Sequence, residues 1–216
     1  MSILKKYTLN LINKPSANTI KLPFGLRLGG VIDINTPFFI FNALTTKVKD
    51  PGDKLYIEAI SRYHRKDCNI YNLYVESAIG DDYILQVDFD LDLKFCAAKL
   101  FYQTHEIYSQ NVEELSQWEN QIIGDEYIRL PDGVEYDREW EPGRRGHISG
   151  YKMDERLFSE SFSSYHELQR LMMLYSRPLE NDIKEYLLVS SIHSSDKDVI
   201  SVMAGINLNV GEVKFN

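Results

Sequence analysis

The chain is short of cysteine, proline and histidine, has no long apolar run, and carries no recognisable catalytic signature. Its two cysteines, Cys68 and Cys96, are too few for a disulfide scaffold and lack metal-ligand spacing. With no signal-type leader beside them, they point to a reduced, cytoplasmic setting. No stretch of 18 apolar residues occurs, so no transmembrane segment is expected. The five histidines, His64, His105, His147, His166 and His193, form no zinc-binding pair, and no serine sits in a GxSxG elbow. His105 and Glu106 are adjacent on an expected strand, where neighbours point to opposite faces, so they are a poor dyad. Cys68 lies near His64 across a turn, without the surroundings of a nucleophile. The expectation is therefore no cofactor, no metal and no catalytic residue, which leaves a non-catalytic role ahead of an enzymatic one.

What is present is aromatic and charged. Fourteen Tyr and ten Phe suit pleated, half-buried surfaces. The net charge of −8 is unevenly spread: residues 1–66 hold eleven Lys/Arg against four acids, and the remainder is strongly acidic. Either the two parts pack and neutralise each other, or the basic third offers a face to an anionic partner such as a membrane. Nucleic acid is not expected from a chain that is acidic overall. Near the start, Ile3, Leu4, Tyr7 and Leu11 with Lys5 and Lys6 fit a short amphipathic helix, so peripheral membrane contact stands beside ordinary docking onto the fold.

The hydropathy pattern is that of strands. Residues 83–93 alternate without a break: Tyr83, Leu85, Val87, Phe89, Leu91 and Leu93 fall on one face, and Ile84, Gln86, Asp88, Asp90, Asp92 and Lys94 on the other, which reads as a wet face. Further strands are expected at 38–45, 55–63, 70–76, 95–107, 151–158, 186–192, 199–208 and 210–215. A hairpin is expected from 127–130 to 134–140 across Pro131-Asp132-Gly133. One helix is expected over 112–122, N-capped by Asn111 and ended by Gly124. The Gly29-Gly30 pair cannot be a phosphate loop, because no Lys-Ser/Thr and no helix follow it; beside a strand it marks a bulge or a close backbone approach. The fold class expected is mainly β with minor α, an antiparallel β-sandwich or half-barrel in one domain. Composition changes near residues 66–70, where a sub-boundary would fall.

Three patches could bind something. Asp88, Asp90 and Asp92 form one acidic row, and Glu135, Asp137, Glu139 and Glu141 form another, each on one sheet face by period two. They are either solvated faces or a site for a divalent cation or polyamine, since oxygen ligands suit hard cations. Arg144, Arg145 and His147, in a loop bounded by Gly143 and Gly146, could hold an anion.

The blocks LPFGLRLGGVIDI at 22–34, VEYDREW at 134–140, LMMLYSRPL at 171–179 and EYLLVS at 185–190 resemble the YjfK-like family, an uncharacterised bacterial domain of about this length. The resemblance implies no catalytic residues. It implies a context, because members are often encoded beside PspA-like membrane-stress proteins and ATP-grasp enzymes similar to glutathionylspermidine synthase. Residues 166–175 are ambiguous on their own, good helix formers but with an apolar run from Leu171 to Leu174, and the resemblance implies that 171–179 is a strand. Two readings follow: a non-catalytic accessory protein of a bacterial envelope-stress system with a PspA-like partner, or, from the acidic rows alone, an enzyme or binding protein for a small cationic metabolite such as a polyamine or for a divalent cation.

Overall fold

A computed structural model describes residues 14–15, 22–65, 68–109, 111–159, 164–193 and 198–216. Where apolar and polar residues alternate, the backbone is extended: β1 Lys14–Pro15, β2 Val31–Ile34, β3 Lys54–Arg65, β4 Cys68–Ser77, β5 Asp82–Phe89, β6 Phe95–Tyr108, β7 Tyr127–Arg129, β8 Glu135–Arg138, β9 Tyr151–Phe158, β10 Ser164–Pro178, β11 Lys184–His193, β12 Val199–Leu208 and β13 Val213–Phe215. All the pairings are antiparallel, and among the described residues the strands form one sheet.

That sheet is a closed barrel, not a sandwich or a half-barrel. β3, β4, β5 and β6 form a meander, and β6 then pairs with β12, β12 with β11 and β11 with β10. β9 completes the ring by pairing with β10 along His166–Met172 and with β3 at Ile60–Arg62. Eight strands therefore close on themselves and leave no edge around the ring. β9 occupies only part of each neighbour. The free end of β3 adds β2 and β13, and the free end of β10 adds β8 and β7. Closure needs bends, and the register shifts at Ile57/Ala59, Asp88/Phe89 and Val202/Met203 are where they fall. At the first of these, Gly29 and Gly30 lie against the bulge: Gly29 N–H donates to Ile57 O (2.8 Å) and Ile57 N–H to Gly30 O (2.9 Å). The glycine pair is the close backbone approach its sequence suggested, and Gly29 adopts φ +71.

Both faces of the sheet are covered. The apolar set of β5, Leu85, Val87 and Phe89, shares one core with Leu26, Phe38 and Val48 from residues 22–50 and with Leu115, Ile123 and Ile148 from residues 111–150. The opposite set, expected to be a wet face, points into the barrel. Ile84 packs there with Ala59, Tyr74, Phe101, Leu157, Leu174, Tyr186 and Met203. Side chains from strands two and three apart touch on this face, as only a concave surface allows. Gly205 is needed there because a Cβ would sit 2.4 Å from the Phe101 ring.

Several local expectations change. Residues 38–45 are not a strand. Phe38–Asn42 form a short helix after Pro37, with Phe38 N–H donating to the Thr36 hydroxyl (3.2 Å), because the run lacks alternation. The 83–93 alternation stops at Phe89, where Asp90 accepts from Lys94 N–H (2.8 Å) and Leu93 turns at φ +61. The 112–122 helix is α-helical over Val112–Gln117, with Asn111 accepting from Glu114 N–H (2.8 Å), and then widens to a π-turn at Trp118–Ile122. Residues 210–212 are a 3-10 turn ahead of β13. The segment 171–179, read as a strand from the resemblance, lies within β10 apart from Leu179, which follows it. Strands on either side of the composition change at 66–70 pair along their length. The amphipathic segment proposed for the first dozen residues lies outside the described residues.

Candidate functional site

A polar network lies inside the barrel. Glu155 on β9 and Arg170 on β10 are buried and form an ion pair of 2.8 Å. The carboxylate also accepts from the Ser61 hydroxyl, from Asn72 Nδ2 (2.6 Å) and from the Tyr74 hydroxyl (3.2 Å), and Arg170 Nη2 donates to Tyr74 Oη (2.5 Å). Five side chains from β3, β4, β9 and β10 thereby satisfy one another, which keeps a buried ion pair tolerable.

Beyond this network the lumen opens into a cavity of about 1360 Å³. Its walls include Gln86, Asp88 and Lys99 beside Ile84, Phe101, Leu174 and Leu188. Residues 139–141, just past β8, line one side. Trp140 packs against the inner apolar cluster and edge-on to Tyr151 (5.3 Å). Glu139 accepts from the Ser176 hydroxyl (2.6 Å) and from Lys184 (3.1 Å). Burial pushes the Glu139 carboxyl up, but the bonds from Ser176 and Lys184, with Lys99 nearby, outweigh it and hold it below the ordinary carboxylate value. Glu141 accepts from Tyr151 (2.5 Å) and Arg144 (2.8 Å), and those bonds likewise hold its carboxyl low.

The acidic rows do not survive as rows. Asp88 faces the cavity, whereas Asp90 and Asp92 belong to the turn after β5. Glu135 pairs with Arg129 (2.9 Å) on the exposed hairpin, Asp137 is exposed on β8, and only Glu139 and Glu141 reach the cavity. Among the described residues no three His, Cys, Asp or Glu side chains come together as metal ligands. The loop with Arg144, Arg145 and His147 is exposed and does not line the cavity. It is held from below by Arg138, whose guanidinium donates to the carbonyls of Gly124 (2.7 Å), Gly146 (2.8 Å) and Arg144. The basic first third is partly neutralised by the acidic remainder, through Lys47 with Asp132 and Lys49 with Asp81.

Residues that period reading did not single out carry most of the buried charge. Glu185, fully buried, accepts from Tyr136 (2.7 Å), Thr46 (2.7 Å), Lys47 N–H and Arg177, and so ties the 45–48 loop to β11. Burial, together with the hydrogen bond to Glu185, pushes the Tyr136 hydroxyl well above its ordinary value. On the outside, His193 lies between Glu119 (2.8 Å), set on the π-turn, and Asp198 (3.1 Å). Among the described residues no helix is long and apolar enough to cross a membrane.

The chain belongs to the family described as protein of unknown function (DUF2491), whose model matches residues 3–214, nearly its whole length. No curated protein and no solved structure matches it.

Proposed function

We propose that this chain is a non-catalytic binding barrel that holds one small polar molecule in its lumen. One observation carries the reading: an eight-stranded barrel is just wide enough to be filled by its own side chains or to hold one small ligand, and this one has a cavity of about 1360 Å³, open on one side and lined by polar groups. Convergent polar groups over an apolar wall are the usual make-up of a ligand site. Titration with 1-anilinonaphthalene-8-sulfonate tests it. One dye per chain should bind with enhanced fluorescence, and Leu188→Trp, which puts a larger ring on the apolar wall of the lumen, should weaken binding without unfolding the protein. A dye that binds Leu188→Trp as well as the unaltered chain, or binds neither, contradicts the reading.

A second reading, partner binding in a bacterial envelope-stress system, has one observation in its favour. Ile40, Phe41 and Leu44, around the 38–42 helix, are 79%, 76% and 101% exposed. Adjacent exposed side chains of that size mark a contact surface. The YjfK-like blocks, Leu26–Gly30 above all, support a PspA-like membrane-stress protein as the partner, and Cys68 and Cys96, which are not joined in a disulfide, support a cytoplasmic setting. Purified PspA-like protein should be retained by the immobilised chain and lost with Phe41→Glu. Equal retention by both forms contradicts this reading.

A further inference from the structure

Lys99 is the unusual charge in the lumen. It is half-buried on β6 and lines the cavity, with its ammonium 5.6 Å from the centre of the Tyr186 ring. Among the described residues it makes no hydrogen bond and no ion pair, whereas the neighbouring Glu139 is already engaged by Ser176 and Lys184. Glu139 is near enough to feel the Lys99 charge but is bonded to Ser176 and Lys184, so this half-buried ammonium stays open to an anion that enters the cavity. Its direct cross-strand neighbours are neutral amides, Gln86 on β5 and Asn207 on β12. One step along β5 from Gln86 is Asp88, paired with Ala97, which makes Asp88 the diagonal neighbour of Lys99 on the same wall. Diagonal neighbours lie roughly 7–8 Å apart at the backbone. Asp88 holds one hydrogen bond, from Gln86 (3.1 Å), through Oδ1. A cation and an anion therefore stand side by side on one wall without pairing to each other. Beside them the lumen is apolar, with Ile84, Phe101, Leu174, Leu188 and Trp140.

We propose that the lumen takes a zwitterion with an apolar tail: a molecule with an α-amino-acid head, its carboxylate on Lys99 and its ammonium on Asp88, and its side chain against Phe101 and Trp140. This rests on the binding-barrel reading and names the ligand class. A simple polycation is disfavoured because Lys99 would repel it, and a simple anion leaves Asp88 facing it. Diagonal neighbours on one wall suit two opposite charges held close together, as in an α-amino acid, whose ammonium and carboxylate are bonded to the same carbon.

Isothermal titration with L-tryptophan, its methyl ester, N-acetyl-L-tryptophan and spermidine tests the proposal, run beside the dye titration above. L-tryptophan should bind one per chain, and the ester and the N-acetyl derivative should each bind at least tenfold more weakly. Lys99→Met should remove the preference over the ester, and Asp88→Asn the preference over the N-acetyl compound. Both substitutions remove a lumen charge outside the Glu155–Arg170 network, and circular dichroism checks that they fold. Equal binding of all three tryptophan compounds, tighter binding of spermidine, or no heat with L-tryptophan while the dye still binds overturns the zwitterion and leaves the barrel reading standing. If neither L-tryptophan nor the dye binds, both fall.

Discussion

Replacing Arg170 with methionine should lower the unfolding free energy by about 3–5 kcal/mol, the usual cost of stranding one member of a buried ion pair. The expectation is at the severe end because Glu155 is fully buried and Arg170 nearly so. Without the guanidinium, Glu155 keeps the bonds from Ser61, Asn72 and Tyr74 but loses its counter-charge, and Tyr74 loses the donor at 2.5 Å. The double change Glu155→Met with Arg170→Met should be less damaging than Arg170→Met alone, because no unpaired charge remains. Urea unfolding of the two single variants and the double variant measures this. A loss below about 1 kcal/mol for Arg170→Met, the range of an exposed pair, would mean that the pair is solvated and the lumen is not closed around it.

The second large effect is at Gly124. It adopts φ +112, and a Cβ there would lie 1.8 Å from the carbonyl oxygen of Ile148. Nothing flexible can yield, since the clash is with backbone that is itself held: Ile148 N–H donates to Gly124 O (2.9 Å), and Gly124 N–H donates to the Tyr175 hydroxyl (2.8 Å). Burial pushes that hydroxyl up to about 12, so it stays a neutral donor, to Ile122 O at 3.0 Å. Gly124→Ala should cost upwards of about 3 kcal/mol, the sum of a strained dihedral and a main-chain displacement. Gly143→Ala is the control. Its φ is +84 but a Cβ there meets nothing within 4 Å, so the dihedral alone, about 1–2 kcal/mol, is at stake. Thermal unfolding of the two variants separates the terms. Equal shifts would mean that the 124–148 contact does not hold the 141–150 segment in place.

Much of the strand content was legible because antiparallel strands with one apolar set write themselves as period-two alternation. Residues 151–158 and 199–208 coincide with β9 and β12, and the Asn111 cap and Gly124 stop bracket the only helix expected. Three features were not legible, each for a physical reason. Closure was hidden because the pattern of Tyr151–Phe158 says that it is a strand but not which two strands flank it; that is a long-range choice made by β3 and β10. The wet face of β5 was misread because a polar barrel lumen and a solvent-exposed face have the same alternation. Ile84, apolar among Gln86 and Asp88, was the one sign that the face is enclosed. The turn at 90–94 kept the alternation of a strand, but Asp90 capping Lys94 took precedence over it. The site was hidden for the same reason as the closure. Glu155 and Arg170 sit on strands adjacent in the barrel, while Lys99 and Asp88 become neighbours only through the β5–β6 register.

Amide hydrogen exchange along β9, read by NMR, tests the closed barrel most directly. Arg156 and Leu157 pair with β10 on one side and β3 on the other, so their consecutive amides should both be strongly protected, odd and even alike. If β9 were instead the free edge of an open half-barrel, alternate amides would face water and exchange at nearly unprotected rates, and the enclosed lumen proposed as the binding site would not exist.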